Sequence, residues 1–113
     1  MEVTAHARNI RIAPRKVRLL VDSVRGMAVN RAMSQLQLMP QKGAREVFKT
    51  VKSAVANAEN NYQLDPNDLY IARIFANEAR MLKRWRPRAH GRVSPQLSRS
   101  SHITVVVDER SAR

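Results

Sequence analysis

Six cations, Arg80, Lys83, Arg84, Arg86, Arg88 and Arg92, crowd into a stretch that contains no acid. Guanidinium groups at this density suit one chemistry above others. They make forked, charge-assisted hydrogen bonds to phosphate oxygens, where an ammonium acts only as a point charge. The acid-free zone runs on from Ala79 to Val107. Trp85, the only tryptophan, stands among these cations; an indole can stack on an exposed nucleobase while neighbouring arginines neutralise the backbone. A buried apolar anchor is the alternative reading of that ring. An acidic membrane surface fits less well, because Leu82 and Trp85 are the large apolar anchors there and no amphipathic helix pattern is present.

Other chemistries find no support in the spacing. His6, His90 and His102 are scattered and the chain has no cysteine, so neither a metal site nor a cofactor is expected. Ser101 beside His102 is not a nucleophile and its base, since neighbours in a strand point to opposite faces. The acids, Glu2, Asp22, Glu46, Glu59, Asp65, Asp68, Glu78, Asp108 and Glu109, form no two-carboxylate constellation, and Gly26, Gly43 and Gly91 are isolated. No phosphate-cradling loop follows from them, and no enzymatic activity is expected. The whole chain carries 21 Lys and Arg against 9 Asp and Glu in 113 residues, a net charge of +12. A domain this basic repels itself and calls for a polyanionic partner. Absence of cysteine fits a reducing compartment. The terminus MEVTAHARNI lacks a secretory pattern and no run of about 18 apolar residues occurs, so no membrane partner is expected.

The elements that must position these cations are legible as periodicities. Val3, Ala5 and Ala7 alternate with Thr4, His6 and Arg8, as in a half-buried strand. Pro14 suits the first position of a helix whose face is Val17, Leu20, Val21 and Val24, with Gly26 as its stop. Arg15, Lys16, Arg18 and Arg25 fall on the other faces. A shorter helix is predicted from Asn30 as cap, through Ala32, Leu36 and Met39, to Pro40. The clearest helix carries the stripe Ala44, Val47, Phe48, Val51, Ala54, Val55 and Ala58, flanked by Lys42, Arg45, Lys49 and Lys52. That basic flank reads as solvated and lies outside the candidate site. Asn60-Asn61 predicts its cap, and Asp65-Pro66-Asn67-Asp68 a turn. Strand sequence follows at 69–76 and again at 103–107, with Tyr70 and Phe75 assigned to the core.

If those last two segments pair as antiparallel neighbours, the chain between them must go out and return about Pro87 and Arg88. Each arm of roughly 18 residues could then extend on the order of 50 to 60 Å. A compact domain of about 100 residues has a radius of gyration near 13 Å. The outer part of such a hairpin cannot lie within the body. Pro95 lacks a backbone donor, which predicts a break in the returning arm's ladder.

Several motifs in register resemble one family. Pro14-Arg15-Lys16-Val17-Arg18-Leu19, Val24-Arg25-Gly26, Ser53-Ala54-Val55-Ala56-Asn57-Ala58-Glu59, Lys83-Arg84 with Pro87-Arg88-Ala89 and Gly91-Arg92, and Ser101-His102-Ile103-Thr104-Val105-Val106-Val107 resemble ribosomal protein twenty-two of the large subunit, in its bacterial or organellar form. The resemblance implies an α+β fold: three helices packed on a small antiparallel sheet, with one long protruding β-hairpin. It also implies a structural constituent of the large ribosomal subunit, in the cytoplasm or an organelle, that takes part in early assembly. Its partners would be large-subunit ribosomal RNA, neighbouring large-subunit proteins and the nascent peptide, with no homo-oligomer. The tip, Lys83, Arg84, Trp85, Arg86, Pro87, Arg88, Ala89, His90, Gly91 and Arg92, would line the peptide exit tunnel. Three departures stand out: Glu78-Ala79-Arg80 replaces the family's usual Glu-Gly-Pro, His90 stands where Lys is common, and Val93-Ser94-Pro95-Gln96-Leu97-Ser98 is less basic than usual.

The expectation is thus one domain over 1–113, with a hairpin inside 69–107 and its tip at 80–95. The candidate RNA-binding set is Arg8, Arg11, Arg15, Lys16, Arg18, Arg25, Arg80, Lys83, Arg84, Trp85, Arg86, Arg88, Arg92 and Arg99. A free nucleic-acid chaperone or DNA-compacting protein is the competing reading of the same charges, and a merely solvated basic loop is the bland one. Like charges on paired arms oppose one another, so the tip of the free chain should order only against an anion. Amides from Lys83 to Arg92 should therefore exchange faster than those of the third helix and slow when RNA is added. Equal protection without RNA would overturn this.

Overall fold

A computed structural model of the chain describes residues 1–87, 89–91 and 93–109, with the backbone alone at 82–84, 86–87, 89 and 93–98. The elements run β1 (Val3–Ile10), α1 (Pro14–Val24), α2 (Val29–Leu38), α3 (Lys42–Tyr62), β2 (Leu69–Glu78), β3 (Leu82–Pro87), β4 (Val93–Ser98) and β5 (Ser101–Glu109). Pro14 begins α1 as its fixed φ and missing N–H favour, and Gly26 takes a φ of 81° just beyond the helix end. The other helix ends differ from expectation for tertiary reasons. At α2 the cap is Ala28, because Ala28 already forms a bridge to Tyr70 and is held extended. Asn30 lies one residue inside that helix and donates from Nδ2 to Asn67 Oδ1 at 3.0 Å. Past Asn60-Asn61, α3 continues to Tyr62, where Gln63 turns left-handed at φ 56°. Its N–H bonds Glu59 O while Leu64 N–H reaches Ala58 O, and half-buried Leu64 packs on the core. That apolar contact fixes the stop.

The three-stranded sheet has order β1-β5-β2, all antiparallel. The helices deliver Val17, Val21, Val24, Leu36, Val47, Val51 and Ala54 to one core with Ile71, Ile74, Ile103, Val105 and Val107 of the sheet. Small residues let the layers close. A Cβ placed on Gly43 would stand 2.8 Å from Leu20 Cδ1, so α1 and α3 cross here with no room to spare.

One expectation about the core fails. Between Ile71 and Arg73 the β2–β5 register shifts, leaving Ala72 as an inserted residue. Strict alternation would place Arg73 and Phe75 on the face of Ile71. The bulge instead turns Ile74 and Ala76 inward and leaves Phe75 40 % exposed, with Tyr70 only half-buried.

Beyond the body, β3 and β4 pair as a separate two-stranded ribbon, with a turn at Ala89–Gly91 between them. The molecule measures 68 Å along its longest axis against 25 and 18 Å across, so the predicted protrusion is present. Pairing runs straight through Pro95, which faces Trp85. Every other N–H of a two-stranded ribbon points away from its partner, so a proline can be accommodated without losing a rung. The ladder is interrupted instead at the root, near Ala79 to Met81 and Arg99 to Ser100, where Ala79 N–H still bonds Ser100 O at 2.9 Å.

The bulge makes a direct prediction in urea titration. Ile103→Ala should lower unfolding free energy by about 2–5 kcal/mol, whereas Phe75→Ala should cost less than about 1 kcal/mol. Equal losses would mean that Phe75 packs inward.

Candidate nucleic-acid interface

The root of the arm gathers cations from three parts of the chain. Arg8 lies near the end of β1, Arg11 in the link to α1, and Arg15 and Lys16 on the first turn of α1, all exposed. Strand pairing places this segment beside the arm, since Ile10 faces Ser101 and Ser101 in turn faces Glu78. Two bonds hold the link there: Ser101 Oγ donates to Ile12 O, and Asn9 N–H donates to His102 Nδ1 at 3.1 Å. Ser101 and His102 are therefore structural ties between β5 and the β1–α1 link. Arg80 and Arg99 stand exposed at the interrupted ladder. Glu78 is the one acid at the root within the arm's two outgoing and returning strands.

Arg18 and Arg25 have a second occupation. Among the described residues, the outer edge of β2 has no neighbouring strand, and its carbonyls need donors. Gly26 N–H bonds Ile71 O, and Met27 O accepts from Ile71 N–H. Farther along, Arg25 Nη2 donates to Ile74 O at 2.9 Å and Arg18 Nε to Ala76 O at 3.1 Å. Arg25 Nη1 also meets Asp22 Oδ1 at 2.7 Å. Both side chains thus pin α1 to the sheet edge. A guanidinium has five N–H donors, so one carbonyl bond leaves it able to meet a phosphate.

On the arm, Trp85 is 67 % exposed, which removes the buried-anchor reading of its ring. His90 is exposed at the tip with a left-handed φ of 61°, followed by Gly91 at 71°. These consecutive positive dihedrals reverse the chain. Lys83, Arg84, Arg86, Pro87 and Ala89 lie on the described backbone, their side chains outside it; Arg88 and Arg92 lie outside the described residues altogether. The structure therefore brings Arg8, Arg11, Arg15, Lys16, Arg80 and Arg99 to one end of the body, and sets Trp85 and His90 on a separate projection.

The sequence reading left out Lys42, Arg45, Lys49 and Lys52, which are exposed along α3. Their spacing of three and four was the available signal that they share one stripe. Among the described residues, no group of three His, Asp or Glu is placed to hold a metal ion. No described helix is long and apolar enough to cross a membrane.

The model of the family "Ribosomal protein L22p/L17e" matches residues 5–108. The chain belongs to this family. Curated relatives agree over nearly their whole length. The chain is 57% identical over 107 residues to the large ribosomal subunit protein uL22 of Dehalococcoides mccartyi strain 195, covering 95% of this chain and 98% of that protein. It is 50% identical over 111 residues to the uL22 proteins of Chloroflexus aggregans and Clostridium novyi, covering 98% of this chain and 98% and 100% of theirs. The L22p/L17e resemblance read from the motifs is thus confirmed, and with it the α+β fold of three helices on an antiparallel sheet.

Division of labour among the arginines of α1 is open to measurement. Arg25→Ala should lower unfolding free energy by about 1 kcal/mol through the uncovered Ile74 carbonyl. Arg15→Ala, at an exposed position, should stay within about 0.5 kcal/mol. A thermal or urea melt reads both; matching losses would contradict the edge-tie role.

Proposed function

We propose that the chain is a structural constituent of the large ribosomal subunit in the cytoplasm, and that it binds large-subunit ribosomal RNA through the arm and the basic patch at its root. The observation that carries this reading is a projecting, acid-free, arginine-rich ribbon on a member of the L22p/L17e family. A two-stranded ribbon has no core of its own and is marginal in isolation. Laid between RNA segments, its cations neutralise phosphates and release counterions. Such a strut screens the repulsion between strands that must pack together, which gives it a physical role in early assembly. Arg8, Arg11, Arg15, Lys16, Arg18, Arg25, Arg80 and Arg99 would hold RNA from the body and root. Lys83, Arg84, Arg86, Arg88 and Arg92 would hold it along the arm.

The tip, with Trp85 and His90 exposed, would form part of the wall of the peptide exit tunnel and so face the nascent peptide. An aromatic ring beside cations can stack on a splayed base there. Positioning RNA requires no turnover, and none is proposed.

Co-sedimentation with large subunits through a high-salt wash tests this. The full chain should remain in stoichiometric amount, and a chain lacking 81–92 should be retained less or lost. Release of the full chain would favour a free nucleic-acid binder, because general polyelectrolyte binding weakens by about a thousandfold or more between 50 and 200 mM salt when several phosphates are contacted.

A further inference from the structure

The basic stripe of α3 borders an apolar trough that the RNA-binding reading uses only at Arg11 and Lys16, on its α1 side. One part, a depression of about 590 Å³, has Leu36, Met39 and half-buried Phe48 in its lining. Its cations are Lys42, Arg45, Lys49 and Lys52. A second depression of about 530 Å³ has Ile12, Leu19, Leu20 and Met39 in its lining, with Arg11, Lys16 and Lys42 as its cations. The two meet at Met39, Gln41 and Lys42, and among the described residues no acid lines either one. Glu46 lines a third, smaller depression that adjoins the second at Arg11, Ile12 and Lys42, so one acid stands at that end of the trough. Leu19 is 71 % exposed and so offers its side chain at the mouth of the second depression.

We propose that this trough, formed where α1, α3 and the α2–α3 connection meet, docks an amphipathic protein segment whose apolar side chains fill the two depressions and whose carboxylates meet the surrounding lysines and arginines. The chemistry of the lining favours protein over RNA. Bases stack on exposed aromatic rings or guanidinium planes; here the apolar side chains are aliphatic and thioether apart from half-buried Phe48, and the guanidinium groups are Arg11 and Arg45 beside four lysines. Three of the four cations around the first depression are lysines. Their stems extend the apolar wall and their ammonium heads act as point charges suited to carboxylates. Met39, at the junction of both halves, is the side chain best able to adapt to an incoming apolar group. Two joined depressions correspond to successive anchors on one face of a helix. Charge complementarity sets the partner's sign: an acidic segment is attracted and a basic one repelled.

The test uses the purified full chain and is independent of whether it enters ribosomes. A fluorescent amphipathic peptide with leucines on one helix face and glutamates elsewhere is titrated at physiological salt. Controls are the same peptide with Ser in place of Leu, and a single-stranded RNA of similar charge. The leucine peptide should bind about tenfold more tightly than the serine peptide, a difference of about 1.4 kcal/mol. Lys49→Glu should weaken it by about fivefold or more, while the charge-matched Arg31→Glu, outside the trough, changes it by less than about twofold. Leu19→Ser should also weaken it without lowering the melting temperature. Equal binding of both peptides would show attraction to net charge alone and overturn the proposal. So would peptide binding indifferent to Lys49→Glu, no binding at all, or RNA binding that Lys49→Glu and Leu19→Ser abolish.

Discussion

The pairing of β5 with β2 is the constraint on which the rest of the molecule depends. β5 is hydrogen-bonded on both sides, and Ile103, Val105, Val106 and Val107 are buried along it. The same two strands lead into the arm, so the body sheet supplies its base and its direction. A slip of one residue would exchange the inner and outer faces of β2. The bulge at Ala72 resists that slip, because only the observed offset keeps Ile71 and Ile74 together in the core. An arm that must reach a fixed place on a partner needs such a registered base.

Electrostatics acts on the arm in the opposite sense. Seven Lys and Arg and no acid occur between Ala79 and Val107. Two unit charges 4 Å apart in water repel by about 1 kcal/mol, and salt screens them beyond about 8 Å. Several such terms match the small stability of an isolated ribbon. The body has no such difficulty, since its core holds the root whatever the charge beyond it. A polyanion adds to each cation an attraction that offsets these repulsions, so the residues that oppose closure in the free chain favour it in a complex. Fold and partner are linked through this added attraction.

Much of this was readable from the chain. Helices α1 and α3 announced themselves by apolar stripes, and the hairpin by two β-rich segments separated by a length no compact loop requires. What escaped were features decided by tertiary contact. Ala28 caps α2 because Tyr70 holds it extended, and Gln63 ends α3 because Leu64 docks, so neither nearby asparagine was needed. Phe75 faces outward because of a bulge that composition does not announce. Pro95 sits opposite Trp85 in an unbroken register, which the sequence, read for the missing donor alone, did not announce. At the interface the cations were legible as a set, and their sorting was not. Only the sheet edge reveals that Arg18 and Arg25 have carbonyls to satisfy.

That sorting bears on how the body would meet RNA. Arg15 and Lys16 stand at the solvent end of α1, while Arg18 and Arg25 cover carbonyls of β2. A phosphate that recruits Arg15 disturbs nothing. One that draws Arg25 wholly away uncovers the carbonyl of Ile74, a loss comparable to what the new phosphate bond supplies. The favourable geometry is therefore a shared one, in which the guanidinium keeps its carbonyl and turns its remaining donors to the phosphate. Such bridging would make the edge of β2 firmer in the complex than in the free chain. Net charge alone overstates the cations freely available to RNA, because part of that charge already holds the protein together.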